Sequence, residues 1–175
     1  LLTPFAAVSA FARGYSPASL MWDLPATPGQ EPAAPATPDG QVHGPVRLRI
    51  ALANNYRVPA AGVLDQMGRE NVLRTLRSFG LDVASDTNLT GDGAPLTPLD
   101  LAGAYGIFAS AGQAAGQQKG ETFGPVTVLR IDGADHAIWL NWTVPQTRPV
   151  VSQQLAYLMN NVLSDEPARW PSLGY

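Results

Sequence analysis

Apolar residues return at helical spacing through much of this chain. Val72, Leu73, Leu76 and Phe79 form one stripe, with Arg69, Arg74 and Arg77 turned the other way. Leu155, Leu158, Met159, Val162 and Leu163 form another, opened by Ser152 as a cap. Val46, Ile50 and Ala53 share a face in a helix read from "GPVRLRIALAN", and Pro59 opens the next helix in "PAAGVLDQMG". Thr3-Pro4 and Thr97-Pro98 each place a hydroxyl cap before a proline at the first helical position, with Asp100 in the first turn of the second case. Gly14, Gly68 and Gly80 stand where helices should stop. Small residues, Ala102, Gly103, Ala104 and Gly106, suit close helix packing.

Between these stretches the pattern changes. "YSPASLMWDLP" reads as extended at first, and residues 25–45 as a proline-rich irregular excursion. "LDVASDTNLTGDGAPL" and "QAAGQQKGETFG" read as polar loops. "VTVLRI" and "HAIWLNWT" flank Asp132-Gly133, a hairpin signal within residues 126–143. The last ten residues, with Pro167 and Pro171, read as irregular. The pattern therefore predicts five or six helices and one hairpin, in one domain over residues 1–175.

Composition narrows the chemistry. With 175 residues and 45% hydrophobic content the chain can bury a sizeable core. A net charge of -3 gives no reason to expect nucleic acid or an anionic membrane as partner. No cysteine is present, which removes disulfides, thiolate catalysis and cysteine-held zinc. No metal or cofactor is expected. His43 and His136 have no ligand spacing and suit surface or local structural roles. "TGDGAP" lacks the lysine and helix of a phosphate loop and reads as a turn. Asp65, Asp92 and Asp100 are scattered. The triplets Asn88-Leu89-Thr90 and Asn141-Trp142-Thr143 match a glycosylation pattern that arises readily by chance. Trp139 and Trp142 read as core and edge packing. No run of apolar residues is long enough to span a membrane.

One stretch remains: Asn54, Asn55, Tyr56 and Arg57 between two apolar helices. "HGPVRLRIALANNYRVPAAGVLDQMGRENVLRTLRSFGL" resembles the transpeptidase domain of class A penicillin-binding proteins, whose pattern runs H-G-P-V-x-L-R-x-A-L-A-N-S-x-N-x-P-A. "TPFAAVSAFARGYSPASLMWDLP", "LTPLDLAGAYGIFASAG" and "VVSQQLAYLMNNVLSDEPAR" resemble further blocks of the same domain, in the same order.

The resemblance implies a mainly helical chain with a small hairpin: the helical portion of the β-lactamase-like transpeptidase fold, with most of its central sheet absent. It also implies serine acyl transfer on peptidoglycan stem peptides, with β-lactams acylating the same serine. The domain's three motifs are S-x-x-K, S-x-N and K-T-G. Thr3 stands at the lysine position, Asn55 at the serine of S-x-N and Arg57 at its asparagine. The nucleophile is expected upstream of Leu1 and the K-T-G strand after Tyr175. A threonine offers no amine, an asparagine amide relays no proton, and an arginine is charged and longer than the amide it replaces. The implied reading is a transpeptidase-like module that is non-catalytic. The alternatives are a fragment of an active D,D-transpeptidase, and a scaffold that binds an anionic ligand at Arg57 unless an acid such as Asp92 pairs with it. The resemblance further implies an extracytoplasmic position with a membrane anchor outside this chain. A helix surface left bare by the missing sheet predicts a homodimer or domain swap.

Overall fold

The computed structural model describes residues 2–25, 40–90, 94–120 and 122–173. Its centre is helix α1 (Thr3–Phe11), all nine residues of which are buried. A helix apolar on every side must be surrounded, and here α3 (Arg57–Met67), α4 (Arg69–Ser78) and α6 (Gln153–Leu163) pack against it. Phe5 anchors the centre, its ring lying 5.1 Å from Phe79, 5.4 Å from Tyr105 and 5.7 Å from Phe108. Aromatic pairs of this kind each contribute about 0.5–1.5 kcal/mol beyond burial. Thr3 is the first helical residue rather than the cap. Leu2 holds the cap position without a side-chain bond, and Pro4 sits in the first turn, where its missing N–H has no intrahelical partner to lose.

Strand β1 (Leu20–Asp23) pairs antiparallel with β2 (Gly44–Arg47). This corrects the helical placement of Val46, which stands opposite Met21 in the ladder. Pairing with a segment over twenty residues away overrides the local period, and α2 (Leu48–Ala53) is correspondingly short, burying Leu48 and Ala51. Most of the expected excursion, residues 26–39, lies outside the described residues, and its last two positions, Gly44 and Pro45, belong to β2.

Gly68 (φ 76°) ends α3 and caps α4, as its place in the sequence suggests. Arg69 then donates to the carbonyls of Ser85 and Thr87, holding down the loop that follows α4. Helix α5 (Pro98–Ala109) opens with a complete capping box: Asp100 N donates to Thr97 Oγ1 at 3.2 Å, and Thr97 N donates to Asp100 Oδ2 at 2.9 Å. The bonds from Thr97 hold the Asp100 carboxyl below its usual range.

The stretch read as the polar loop "QAAGQQKGETFG" is two strands instead. β3 (Gln113–Lys119) carries β4 (Thr122–Gly124) on one edge and β7 (Gln146–Pro149) on the other. Its glutamines hid the strand from any hydrophobic pattern, because Gln117 is buried through its hydrogen bonds. Its amide donates to Val144 O at 2.7 Å and Trp142 O at 3.4 Å. Gly112 (φ 87°) could carry no Cβ, since one would lie 2.3 Å from Val151 O.

The expected hairpin forms, with β5 (Arg130–Asp132) paired to β6 (Ile138–Asn141). Trp139 departs from the expected core or edge packing. It is 72% exposed and lies over Gly133, while Trp142 meets the Lys119 ammonium 5.5 Å from its ring centroid. Both Asn-x-Thr triplets form side-chain turns, with Asn88 Oδ1 accepting from Thr90 N and Asn141 Oδ1 from Thr143 N. The C-terminal residues expected to be irregular form α7 (Glu166–Leu173), in which Ala168 N donates to Asp165 Oδ1 at 3.2 Å.

The result is a mainly helical structure with small antiparallel sheets. No helix among the described residues is long and apolar enough to cross a membrane. Exposed large apolar residues gather on β1, on the hairpin and beside it. None lies on α1 to α4, whose apolar faces are turned on one another. On the later helices Leu99 of α5, Tyr157 of α6 and Trp170 of α7 are exposed.

Candidate functional site

The corner between α2 and α3 is shorter than the sequence suggests. Helix α3 begins at Arg57 rather than at Pro59, so the break is only Asn54, Asn55 and Tyr56. Asn55 takes a left-handed conformation (φ 52°), which asparagine tolerates better than most residues. That conformation reverses the chain in so few residues. It also lets Tyr56 turn inward, where it is 3% exposed.

Three contacts hold the corner from different directions. From α2 and α7, the Asn54 amide donates to Ile50 O at 2.9 Å and Ala168 O at 2.7 Å, while its buried Oδ1 has no hydrogen-bond partner among the described residues. From the β1–β2 ribbon, the His43 ring stacks on Tyr56 at 4.0 Å and 12°. That ring is fixed in turn by fully buried Asp23, whose Oδ2 accepts from His43 N at 3.1 Å and lies 2.6 Å from His43 Nδ1. Further along α2, Arg49 donates to Asp165 Oδ2 at 2.5 Å and to Asn161 Oδ1 at 2.6 Å. The Arg49 guanidinium and the Ala168 N–H hold the Asp165 carboxyl below its usual range.

Thr3 and Asn55, 52 positions apart in sequence, line one cavity with Leu48, Tyr56, Ala60 and Val63. Its volume is about 10 Å³, the room of roughly one water. Arg57 is half-buried one residue into α3 and is not among the lining residues. Asp92, the acid considered as its partner, lies outside the described residues. The cavity lining holds no lysine and no serine. The only lysine in the sequence is Lys119, at the far end of β3. The lining can therefore offer a hydroxyl, an amide and a phenol, but no amine to take a proton from a nucleophile.

Asp23 and Asp165 escaped sequence reasoning, as did the contacts of Asn54 and His43, which it named only as part of a polar break and as a surface or local structural residue. Each acts through a partner on another element, and none has a partner at a spacing that a single sequence displays.

The fold is similar to the helical part of a penicillin-binding-protein transpeptidase domain. No family model matches the chain. Among characterised proteins it is similar to penicillin-binding protein 1A of Aquifex aeolicus (32% identity over 117 residues, 63% of this chain and 16% of that protein) and of Haemophilus influenzae (29% over 118 residues, 63% and 14%). A longer match, to penicillin-binding protein 1A of Pseudomonas aeruginosa, reaches 26% identity over 160 residues, 87% of this chain. The chain thus spans about a sixth of these relatives' length. Among solved structures, penicillin-binding protein 1A of Haemophilus influenzae superposes with a TM-score of 0.79 over 99% of this chain and 30% of that one, at 20% identity. Penicillin-binding protein A of Mycobacterium tuberculosis, solved as an imipenem acyl-enzyme, superposes at 0.73 over 92% of this chain and 41% of that one, also at 20% identity.

Proposed function

We propose that this chain is a transpeptidase-like module of a peptidoglycan-synthesis penicillin-binding protein in which acyl transfer has been lost. The observation that carries the proposal is the cavity at the α2–α3 corner. Thr3 and Asn55 meet there, at the positions where the resemblance implies a lysine and a serine, and nothing in the lining replaces the amine. Removing one member of a cooperating catalytic set typically costs about three to six orders of magnitude in rate. Substituting two within one cavity, and Arg57 beside it, leaves the scaffold without its proton chemistry. The module acts outside the cytoplasmic membrane, as a scaffold or binding element.

The test is intact-mass analysis of the chain, and of the longest native product that contains it, after incubation with a penicillin. A folded sample should show no adduct. A stoichiometric adduct would refute the loss of acylation and establish the alternative, an active D,D-transpeptidase with unusual residues at its motif positions.

A further inference from the structure

A roomier concavity lies away from the corner. It is an open groove of about 420 Å³ between α5 and the β3 sheet. Its helix wall presents Gly103 and Gly106, and an added Cβ at either would meet nothing within 4 Å. Both have ordinary helical backbones, so neither conformation nor packing explains them, although each costs about 1 kcal/mol against alanine inside a helix. What they create is room beside the sheet.

The sheet wall is incomplete in a specific way. β7 covers one edge of β3 over Gln113–Gly116, whereas β4 covers the other edge only over Gln117–Lys119. The chain leaves that edge after Gly124, at Pro125, which lines the groove. Gly112 O accepts from Val150 N at 2.9 Å, so even-numbered main-chain groups address β7. The odd-numbered groups address the β4 side. Gln113 N is taken by Ser110 O, which leaves Gln113 C=O and both main-chain groups of exposed Ala115 along an edge with no strand among the described residues. An unpaired strand edge facing a helix across a groove is the geometry that accepts an added strand. At the rim, Arg148 lies 4.8 Å from the Phe123 ring centroid, and both line the groove. Asp100 also lines it, but its carboxylate is bound to Thr97 N and Oγ1.

We infer that this groove binds an extended peptide segment of a partner protein. The segment continues the lane of β4 antiparallel to β3, with small or apolar side chains toward Gly103 and Gly106 and an acidic side chain toward Arg148. It bonds to Ala115 N–H, Ala115 C=O and Gln113 C=O, and so few main-chain bonds make the complex weak, with a Kd near ~0.1 mM. The inference is independent of whether the corner retains any acylation.

The experiment uses the full chain and a fluorescein-labelled octapeptide of alternating valine and glutamate, read by fluorescence anisotropy. Its counterpart carries N-methyl groups on alternate amides, which blocks one edge of a strand. The plain peptide should bind and the N-methylated one should bind about tenfold more weakly or worse. Ala115→Pro removes the edge N–H and should weaken binding by about the same factor. Gly106→Leu fills the groove without touching β3, so it tests the inference even where Ala115→Pro disturbs the strand. Arg148→Glu should shift preference to a valine–lysine peptide. The inference is overturned by absence of binding up to about 1 mM, or by binding that ignores both Gly106→Leu and Ala115→Pro. It is equally overturned if the edge is taken by a second copy, seen as a doubled mass that Ala115→Pro abolishes.

Discussion

The corner cavity and the α5–β3 groove are both concave, and they differ in nearly every other respect. The cavity is narrow, lined by core residues such as Leu48 and Val63, and has room for about one water. The groove is some forty times larger by volume, and glycines, an exposed strand edge and an arginine line it together with the buried Phe79, Ala104 and Ile107. Thr3 and Asn55, two of the three positions that the resemblance aligns with motif residues, line the first, and the peptide proposed above would lie in the second. On the reading proposed above, motif position and ligand space lie apart within one fold. Core residues in either wall are constrained by packing, whereas Gly103, Gly106 and exposed Ala115 in the groove can change at little cost to stability.

That contrast can be broken by mutation. Leu48→Ala, at the cavity wall, should lose about 2–5 kcal/mol in urea unfolding, as buried leucine truncations do. A loss below about 1 kcal/mol would mean the cavity is not part of the core. Asn54→Ala removes both amide bonds that tie the corner to α2 and α7 and should cost about 1–3 kcal/mol. Acid should act selectively on the same region. Because the Asp165 carboxyl is held below the ordinary carboxylate range, its contribution is present above that range and fades as pH falls through the lower folded-state value. Trp170 fluorescence should therefore report loosening of α7 below about pH 4, and Asp165→Asn should remove that transition. The smallest effect is expected in the groove, with the opposite sign. Gly106→Ala should stabilise the chain by about 0.5–1 kcal/mol, because the new methyl meets nothing. Destabilisation there would show that the glycine serves packing after all.

The helices were legible because their own residues carry the period: the Val72–Leu76 stripe, the Thr97 capping box and the Ser152 cap all stand as read. Of the strands, the Asp132-Gly133 hairpin was legible and most of the rest were not. Val46 pairs across a long excursion, and Gln117 is buried through bonds to carbonyls 25 and 27 residues away. Helix α7 was missed because two prolines argued against it, yet Pro167 falls in the first turn, where an N–H has no partner to lose. At the candidate site, Asn55 stood out as part of a polar break between two helices, and Thr3 entered through the resemblance alone. The residues that hold Asn55 in place were invisible, since Asn54 reaches a carbonyl 114 positions away.

That last contact has a consequence for the order of events during synthesis. Chains emerge from the ribosome N-terminus first, at about 5–20 residues per second. Helices α1 to α4 can meet as soon as residue 78 has cleared the exit, but Asn54 has no Ala168 to bond until almost the whole described chain has been made. For several seconds the corner exists with its amide unbonded to α7, and the carbonyl that completes it arrives last. A nascent chain arrested before residue 160 should therefore carry a folded helical nucleus and an unfinished corner, detectable as Tyr56 accessible to iodination while Phe5 remains buried.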